Sequence, residues 1–287
     1  MKACKLSRLK LFSSRFSKKT YTQRQHASVL MVMKRLRLRY RGITELLEVV
    51  PGIRGVLGLR CVPHYTTLQK FFRRCSGHVL ALLLAQTARL SGCSGVIAID
   101  ATGFSSNTAS RYYSMFRYRH EPGVWSGSYI RNSAAVDLES QAVVSFVCRK
   151  NHSHESLDFD TVLKKASRTS DVTMVIADRG YDYERVHRFA RERMKVDTLI
   201  PLTRRKRKRI HGRYRKMMDG DFDWKAYAKR SRIEGVFSVI KRRFGDTVYS
   251  RSWKLQRKEM TLLCAAYNVY RYVVSCFIVI EDFYRTV

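Results

Sequence analysis

Three short apolar runs do most to limit what this chain folds into: GVIAID at 95–100, VTMVIAD at 172–178 and DTLIP at 197–201. Runs of this length, rich in Val and Ile, are too short for core helices and read as buried strands. The stretches 128–137 and 141–148, rich in Ser, Val, Ile and Phe and joined at Leu138 to Ser140, read as a β-hairpin. Helical spacing recurs at Leu157, Phe159, Val162 and Leu163, and again from about Tyr183 to Met194. Strand, hairpin, helix, strand, helix, strand predicts an α/β domain with helices on a mixed sheet.

The region before these runs has a different texture. From Gln23 to about Leu90 the pattern is helical throughout, with Val29, Leu30, Val32, Met33 and Leu36, then Ile43, Leu46, Leu47 and Val50, at helical spacing. After Pro63, Thr66 or Thr67 offers an N-cap to a helix with Leu68, Phe71 and Phe72 on one face and Lys70, Arg73 and Arg74 on the other. That helix resembles the recognition helix of a helix-turn-helix in charge and size, and equally an ordinary amphipathic helix of a small bundle. The division expected is a basic arm at 1–20, a helical domain at 21–92 and an α/β domain with C-terminal helices at 93–287. The arm reads either as a phosphate-following tail or as a frayed terminus. Two further helical segments run from Trp224 to about Phe244 and from about Leu255 to Ile280.

Charge narrows the partner. Lys and Arg number 56 against 23 Asp and Glu, a formal net charge of +33, which implies a polyanion. The longest apolar stretches, Val79 to Ala85 and Tyr272 to Ile280, fall well short of the roughly 18 residues that span a bilayer. The opening residues lack the apolar core of a secretory signal, so a cytosolic protein is expected. Its seven cysteines are widely spaced without a C-x-x-C, and indicate neither a disulfide framework nor a zinc site. Nucleic acid is the expected partner. The run RRKRKR at 204–209, which includes Arg204, Arg205, Lys206 and Arg207, shows no apolar periodicity and reads as a phosphate-contacting loop.

In so basic a chain the awkwardly placed acids are informative. Asp100 and Asp178 each end an apolar strand ahead of a glycine, in DATG and DRGYD. If the two strands are neighbours, about 4.8 Å apart, their carboxylates are close enough to share divalent metal ions. Either acid alone also fits a simple turn-former. At helical spacing, Tyr227, Arg230, Glu234 and Lys241 fall in a stripe about 60° wide. The stripe borders an apolar face made by Ile233, Phe237, Ile240 and Phe244, with Arg242 on the opposite side. Glu234 there is placed either to complete a metal site or to pair with Arg230 on a surface helix.

Asp100 in AIDATG, Asp178 in ADRGYD and the spacing Y-x2-R-x3-E-x6-K resemble the DDE transposases of prokaryotic insertion sequences, in the IS-four/IS-five superfamily that bears the tyrosine-arginine-glutamate-lysine signature. The resemblance covers about 95–245 closely. It implies an RNase H-like catalytic domain, two Mg²⁺ (or Mn²⁺) ions, terminal inverted-repeat DNA as substrate, and cut-and-paste transposition by a homodimer. Asp100, as the bridging ligand, with Asp178 and Glu234 would hold the metals, and Tyr227, Arg230 and Lys241 would contact phosphates near the cleaved end. Some relatives insert a large β-domain before the glutamate helix; here about 25 mostly basic residues fill that gap, which puts hairpin processing in doubt. Trp224 reads as a base-stacking residue or as packing, and the HSHE cluster (His152, His154, Glu155) as loop rather than ligand set. A metal-dependent nuclease without strand transfer and a catalytically silent DNA-binding protein are the competing expectations.

Overall fold

The computed structural model describes residues 3–4, 7, 9–106, 129–150, 154–203, 209–220 and 222–286, with 155 and 278–286 by backbone alone. Helices α1 (Gln23–Arg35), α2 (Tyr40–Val49), α3 (Pro51–Val56), α4 (Tyr65–Arg74) and α5 (Gly77–Leu90) lead into strands β1 (Val96–Ser106), β2 (Tyr129–Asp137) and β3 (Val143–Arg149). Then come α6 (Phe159–Ala166), β4 (Met174–Ala177), α7 (Glu184–Arg188), β5 (Asp197–Leu199), α8 (Arg213–Gly220), α9 (Trp224–Ala228), α10 (Ser231–Phe244), β6 (Thr247–Val248) and α11 (Trp253–Thr286). They form two compact units, one of Met1–Leu90, Ile240–Gly245 and Ser252–Val287, the other of Ser91–Val239 and Asp246–Arg251.

Among its described residues, the regular elements of the first unit are helices, joined by turns and irregular segments. Helix α1 starts where Thr22 and Gln25 form a capping box: Thr22 Oγ1 accepts from the Gln25 amide at 3.1 Å and Gln25 Oε1 from the Thr22 amide at 2.8 Å. Helix α4 begins at Tyr65, before either threonine, with His64 at the cap position and the Thr66 hydroxyl paired with the His64 ring at 2.7 Å. Its Leu68, Phe71 and Phe72 are buried as the spacing predicts, and Lys70, Arg73 and Arg74 are exposed.

The last helix departs from the expected division, since α11 lies along α5 and α1 rather than with the sheet. Met260, Leu263, Cys264 and Tyr267 seal against a unit whose α5 presents Leu80, Leu83 and Leu84. Lys258 donates to the carbonyls of Phe72 and Arg73, satisfying the end of α4, and Lys34 pairs with Glu259. Periodicity shows that a helix has an apolar face, but not which neighbour covers it. Nor is the opening segment simply an arm: Ala3, Cys4 and Leu9 are buried, and Leu11 accepts a backbone hydrogen bond from Gln23 at 2.8 Å.

The second unit is a six-stranded sheet in the order β3-β2-β1-β4-β5, with β6 also on β1. The β1–β2 and β2–β3 pairs are antiparallel, whereas β4 and β6 run parallel to β1, and β5 to β4. Strands β2 and β3 form the expected hairpin. Buried Asp137 holds its turn by accepting from the amides of Ser94, Glu139 and Ser140 and from two serine hydroxyls. Ile97, Ile99, Val175 and Ala177 pack with Phe159, Val162 and Leu163 of α6 and with Tyr181 and Val186. The helix expected from Tyr183 to Met194 is α7 continued by a π-helical turn, Phe189–Arg193.

Strand β1 does not end at Asp100. It runs on to Ser106, because β2 pairs along it from Ile97 to Ser105 and β6 takes up Ser105 and Ser106 on the side that β4 has left. Gly103 is therefore a strand residue, and a Cβ there would meet the Tyr129 ring at 1.9 Å.

Candidate active site

The site begins with a strand register. Ile99 of β1 pairs with Ala177, the last residue of β4, so Asp100 and Asp178 occupy the next position on two adjacent parallel strands. From there the strands part: β1 continues, while the chain at Asp178 leaves the sheet into a short 3-10 turn, Arg179–Tyr181, which Asp178 caps by accepting from the Gly180 amide at 2.9 Å. Apolar neighbours lock both backbones, and both carboxylates stay partly accessible at the edge where parallel strands end, the usual place for ligands in α/β sheets.

Glu234 arrives from α10. The expected single helix from Trp224 is two helices, α9 and α10, with a turn at Lys229 and Arg230 between them. Tyr227 and Arg230 thus belong to α9 and the turn, and the four-residue stripe is not one continuous helical face. The buried face of α10 is the expected one, with Ile233, Phe237, Ile240 and Phe244 covered and joined by Val236. This packing leaves Glu234 exposed and aims Arg230 across the gap. Arg230 Nη2 lies 2.6 Å from Glu234 Oε1, and its Nη1 3.3 Å from Asp100 Oδ2. One guanidinium therefore links the first and third acids. Partial burial works against the Arg230 cation, but Tyr227, Glu234 and Asp100 outweigh it and its pKa is raised. The Tyr227 ring lies 5.9 Å from the guanidinium carbon and joins Phe222 and Trp224 in an aromatic group, of which Trp224 is exposed.

Sequence reasoning missed a second set of acids just beyond Asp178. Asp182, buried, accepts from Nε and Nη2 of Arg215 at 2.7 and 2.8 Å and from the Thr203 amide at 2.7 Å. Glu184 accepts from the amides of Tyr214 and Arg215 at the start of α8. Gly212, at φ 101°, leaves room for that contact, since a Cβ there would meet Glu184 Oε2 at 2.2 Å. Both flanks of the basic run are thereby tied to the segment that follows Asp178. Between them lies a cleft of about 1450 Å³ lined by Arg179, Tyr183, Thr203, Arg209 and His211, among others. The motif DRGYDYE carried the signal, in acids spaced by four and six residues from Asp178. Deeper in the sheet, Asp158 pairs with Arg131 and Arg149, a triad with no local sequence signature.

Other expected residues belong to other parts of the chain. Lys241 lies on α10 two turns beyond Glu234, in the part of the helix that groups with the first unit. Lys70, Arg73 and Arg74 belong to α4 of that unit, and Arg204, Arg205, Lys206 and Arg207 lie outside the described residues. His154 bonds Ser156 at 3.0 Å and Tyr183 at 3.3 Å, as a loop residue would, while His152 lies outside the described residues.

Among the described residues no three His, Cys, Asp or Glu side chains come together closely enough to hold a metal ion. The donor chemistry nevertheless suits a hard divalent cation, because Asp100 and Asp178 offer carboxylate oxygens from adjacent strands. The place beside Asp100 and Glu234 that such a cation would take is filled by another cation, Arg230.

A family model described as "Transposase DDE domain" matches residues 91–269. Among solved structures, the chain is similar to a piggyBac transposase, titled as a synaptic complex with hairpin DNA, at a TM-score of 0.51 and 9% identity, covering 94% of this chain and 70% of that one. At that identity the likeness speaks for the fold. No curated protein matches in sequence.

Proposed function

Because the chain belongs to the DDE transposase family, we propose that Asp100, Asp178 and Glu234 are its three catalytic carboxylates, acting on the terminal inverted repeats of an insertion sequence. It is a DNA transposase. The observation that carries the site assignment is the shared register of Asp100 and Asp178 on adjacent parallel strands, with Glu234 tethered to Asp100 through Arg230. The core is read as RNase H-like and the enzyme as one of the tyrosine-arginine-glutamate-lysine branch, which the spacing of Tyr227, Arg230, Glu234 and Lys241 supports.

DDE transposases use divalent metal, and two Mg²⁺ ions held by Asp100, Asp178 and Glu234 would activate water or a DNA 3′-hydroxyl and stabilise the leaving oxygen. The chain's own residues supply the rest. Asp100 and Asp178 are held by a sheet whose core is fully packed, so their spacing does not depend on substrate. Arg230 and Lys241 bind phosphates, Arg as a fork and Lys as a point charge. The run at 204–209 adds positive charge, and the anchoring of Thr203 and Arg215 to Asp182 supports a fixed path for its two flanks. Lys70, Arg73 and Arg74 of α4 are exposed cations for binding the element's ends, and two such ends call for a homodimer.

The test is cleavage and strand transfer on labelled DNA carrying the flanking ends, with Mg²⁺, Mn²⁺ or EDTA, comparing the native chain with Glu234→Gln. Metal-dependent nicking and joined products, both lost in the variant, are expected. DNA bound but cut in neither metal would refute the assignment.

A further inference from the structure

We infer that Arg230 is the resident counter-ion of the Asp100–Glu234 pair and gives up that place only to a DNA phosphate, so that metal loading and DNA binding are coupled through this one side chain. The inference rests on the carboxylate assignment above and adds to it a route of control.

The competition is for the same oxygens. Arg230 engages Asp100 Oδ2 and Glu234 Oε1, one with each terminal nitrogen. A divalent ion drawing on either oxygen would meet a guanidinium already there, and like charges at contact distance exclude one another. Arg230 cannot respond by losing its proton, since a guanidinium stays charged in proteins. It has to move, and the move is favourable only towards another anion with two acceptor oxygens. A phosphodiester is that anion. The path is open: the Arg230 side chain is 20% exposed and that of Glu234 58%. Tyr227 beside it offers a ring face on the way. With phosphate taking the guanidinium, Asp100 and Glu234 are released for metal, and by linkage metal in turn tightens the hold on DNA. Without DNA the guanidinium offsets part of the charge of the two acids and occupies one oxygen of each, so free Mg²⁺ or Mn²⁺ has to displace a fork already in place.

The experiment titrates Mn²⁺ into the full chain, following the free-ion electron paramagnetic resonance signal, with and without a duplex taken from the DNA flanking the coding region. For the native chain, the duplex is expected to tighten Mn²⁺ binding by about tenfold. Arg230→Gln is expected to bind Mn²⁺ about tenfold more tightly than the native chain without DNA, and to gain little more when the duplex is added. Arg232→Gln removes the same charge two residues away, from a side chain that donates to the Leu138 carbonyl, and is expected to titrate like the native chain. Equal effects of the two substitutions would reduce the result to net charge and overturn the inference. So would unchanged or weaker DNA-free binding by Arg230→Gln in a chain whose circular dichroism is native. If Asp100→Asn leaves Mn²⁺ binding untouched with and without DNA, the carboxylate assignment itself has failed, and this inference goes with it.

Discussion

The second unit holds two groups of acids, which come within four residues of each other at Asp178 and Asp182, and they are satisfied in opposite ways. Asp182 is buried and saturated, with a bidentate arginine and a backbone amide on its two oxygens. Asp100, Asp178 and Glu234 are held more lightly: Arg230 reaches Asp100 and Glu234, a neighbouring backbone amide donates to Asp100 and another to Asp178, and all three residues stay at least partly accessible. A buried carboxylate whose acceptors are all used is a structural tie, whereas one that stays accessible beside the last paired residues of two parallel strands is available for chemistry. The Asp158 triad with Arg131 and Arg149 belongs to the first kind, and its two arginines lie 27 and 9 positions away, so no local sequence motif surrounds it.

Substitutions that separate folding from activity should expose this contrast most sharply. Asp178→Ala is expected to cut cleavage by about a thousandfold or more, the scale seen when a preorganised electrostatic group is removed. Its cost in urea unfolding should stay below about 1 kcal/mol, because the side chain holds only one turn amide. A large loss of stability would move Asp178 into the structural class. Asp158→Ala should do the reverse, costing about 3–5 kcal/mol by leaving two arginines unpaired, one of them almost fully buried. A small change there would break the comparison from the other side.

Gly212→Ala should cost about 2 kcal/mol or more, since it combines a strained backbone with a clash against the Glu184 carboxylate. The accompanying sign is faster proteolysis at the flanks of the basic run, with the unfolding of the first unit unaltered.

A pH-dependent effect concerns His187, which is fully buried with Nδ1 against the Thr198 hydroxyl at 2.7 Å. Burial pulls its pKa down to about 4, although Asp182 and Glu184 pull the other way. A folded pKa below the unfolded 6.5 means that the unfolded chain takes up the proton first. The neutral ring's contribution is intact above about pH 6.5 and is lost as pH falls towards 4. The loss amounts to about 1–3 kcal/mol, and His187→Gln should flatten that limb of a pH–stability curve.

Legibility in the sequence followed the range of the interaction. The apolar strands, the hairpin and the face of Ile233, Phe237, Ile240 and Phe244 were readable, because each is a local period of two or 3.6 residues imposed by backbone geometry. The order of the three acids was readable too, while the adjacency of the two strands that carry the first pair stood only as a condition, which the pairing of β1 with β4 meets. The extension of β1 beyond Asp100 was not, since the partners that prolong it lie at 129–137 and 247–248. The break at Lys229 and Arg230 was equally hidden, for no proline or glycine marks it.

By itself, then, the sequence determined a strongly basic chain, a mixed α/β core and three acids in a set order, all consequences of charge count and short-range spacing. Tertiary structure decided the rest: that α11 covers the first unit's helices, that Asp182 and Glu184 are ties rather than ligands, and that Arg230 stands between Asp100 and Glu234. Each of these depends on which distant surfaces meet. A hydrogen bond or ion pair between residues 130 positions apart, as for Arg230 and Asp100, leaves no periodicity to read.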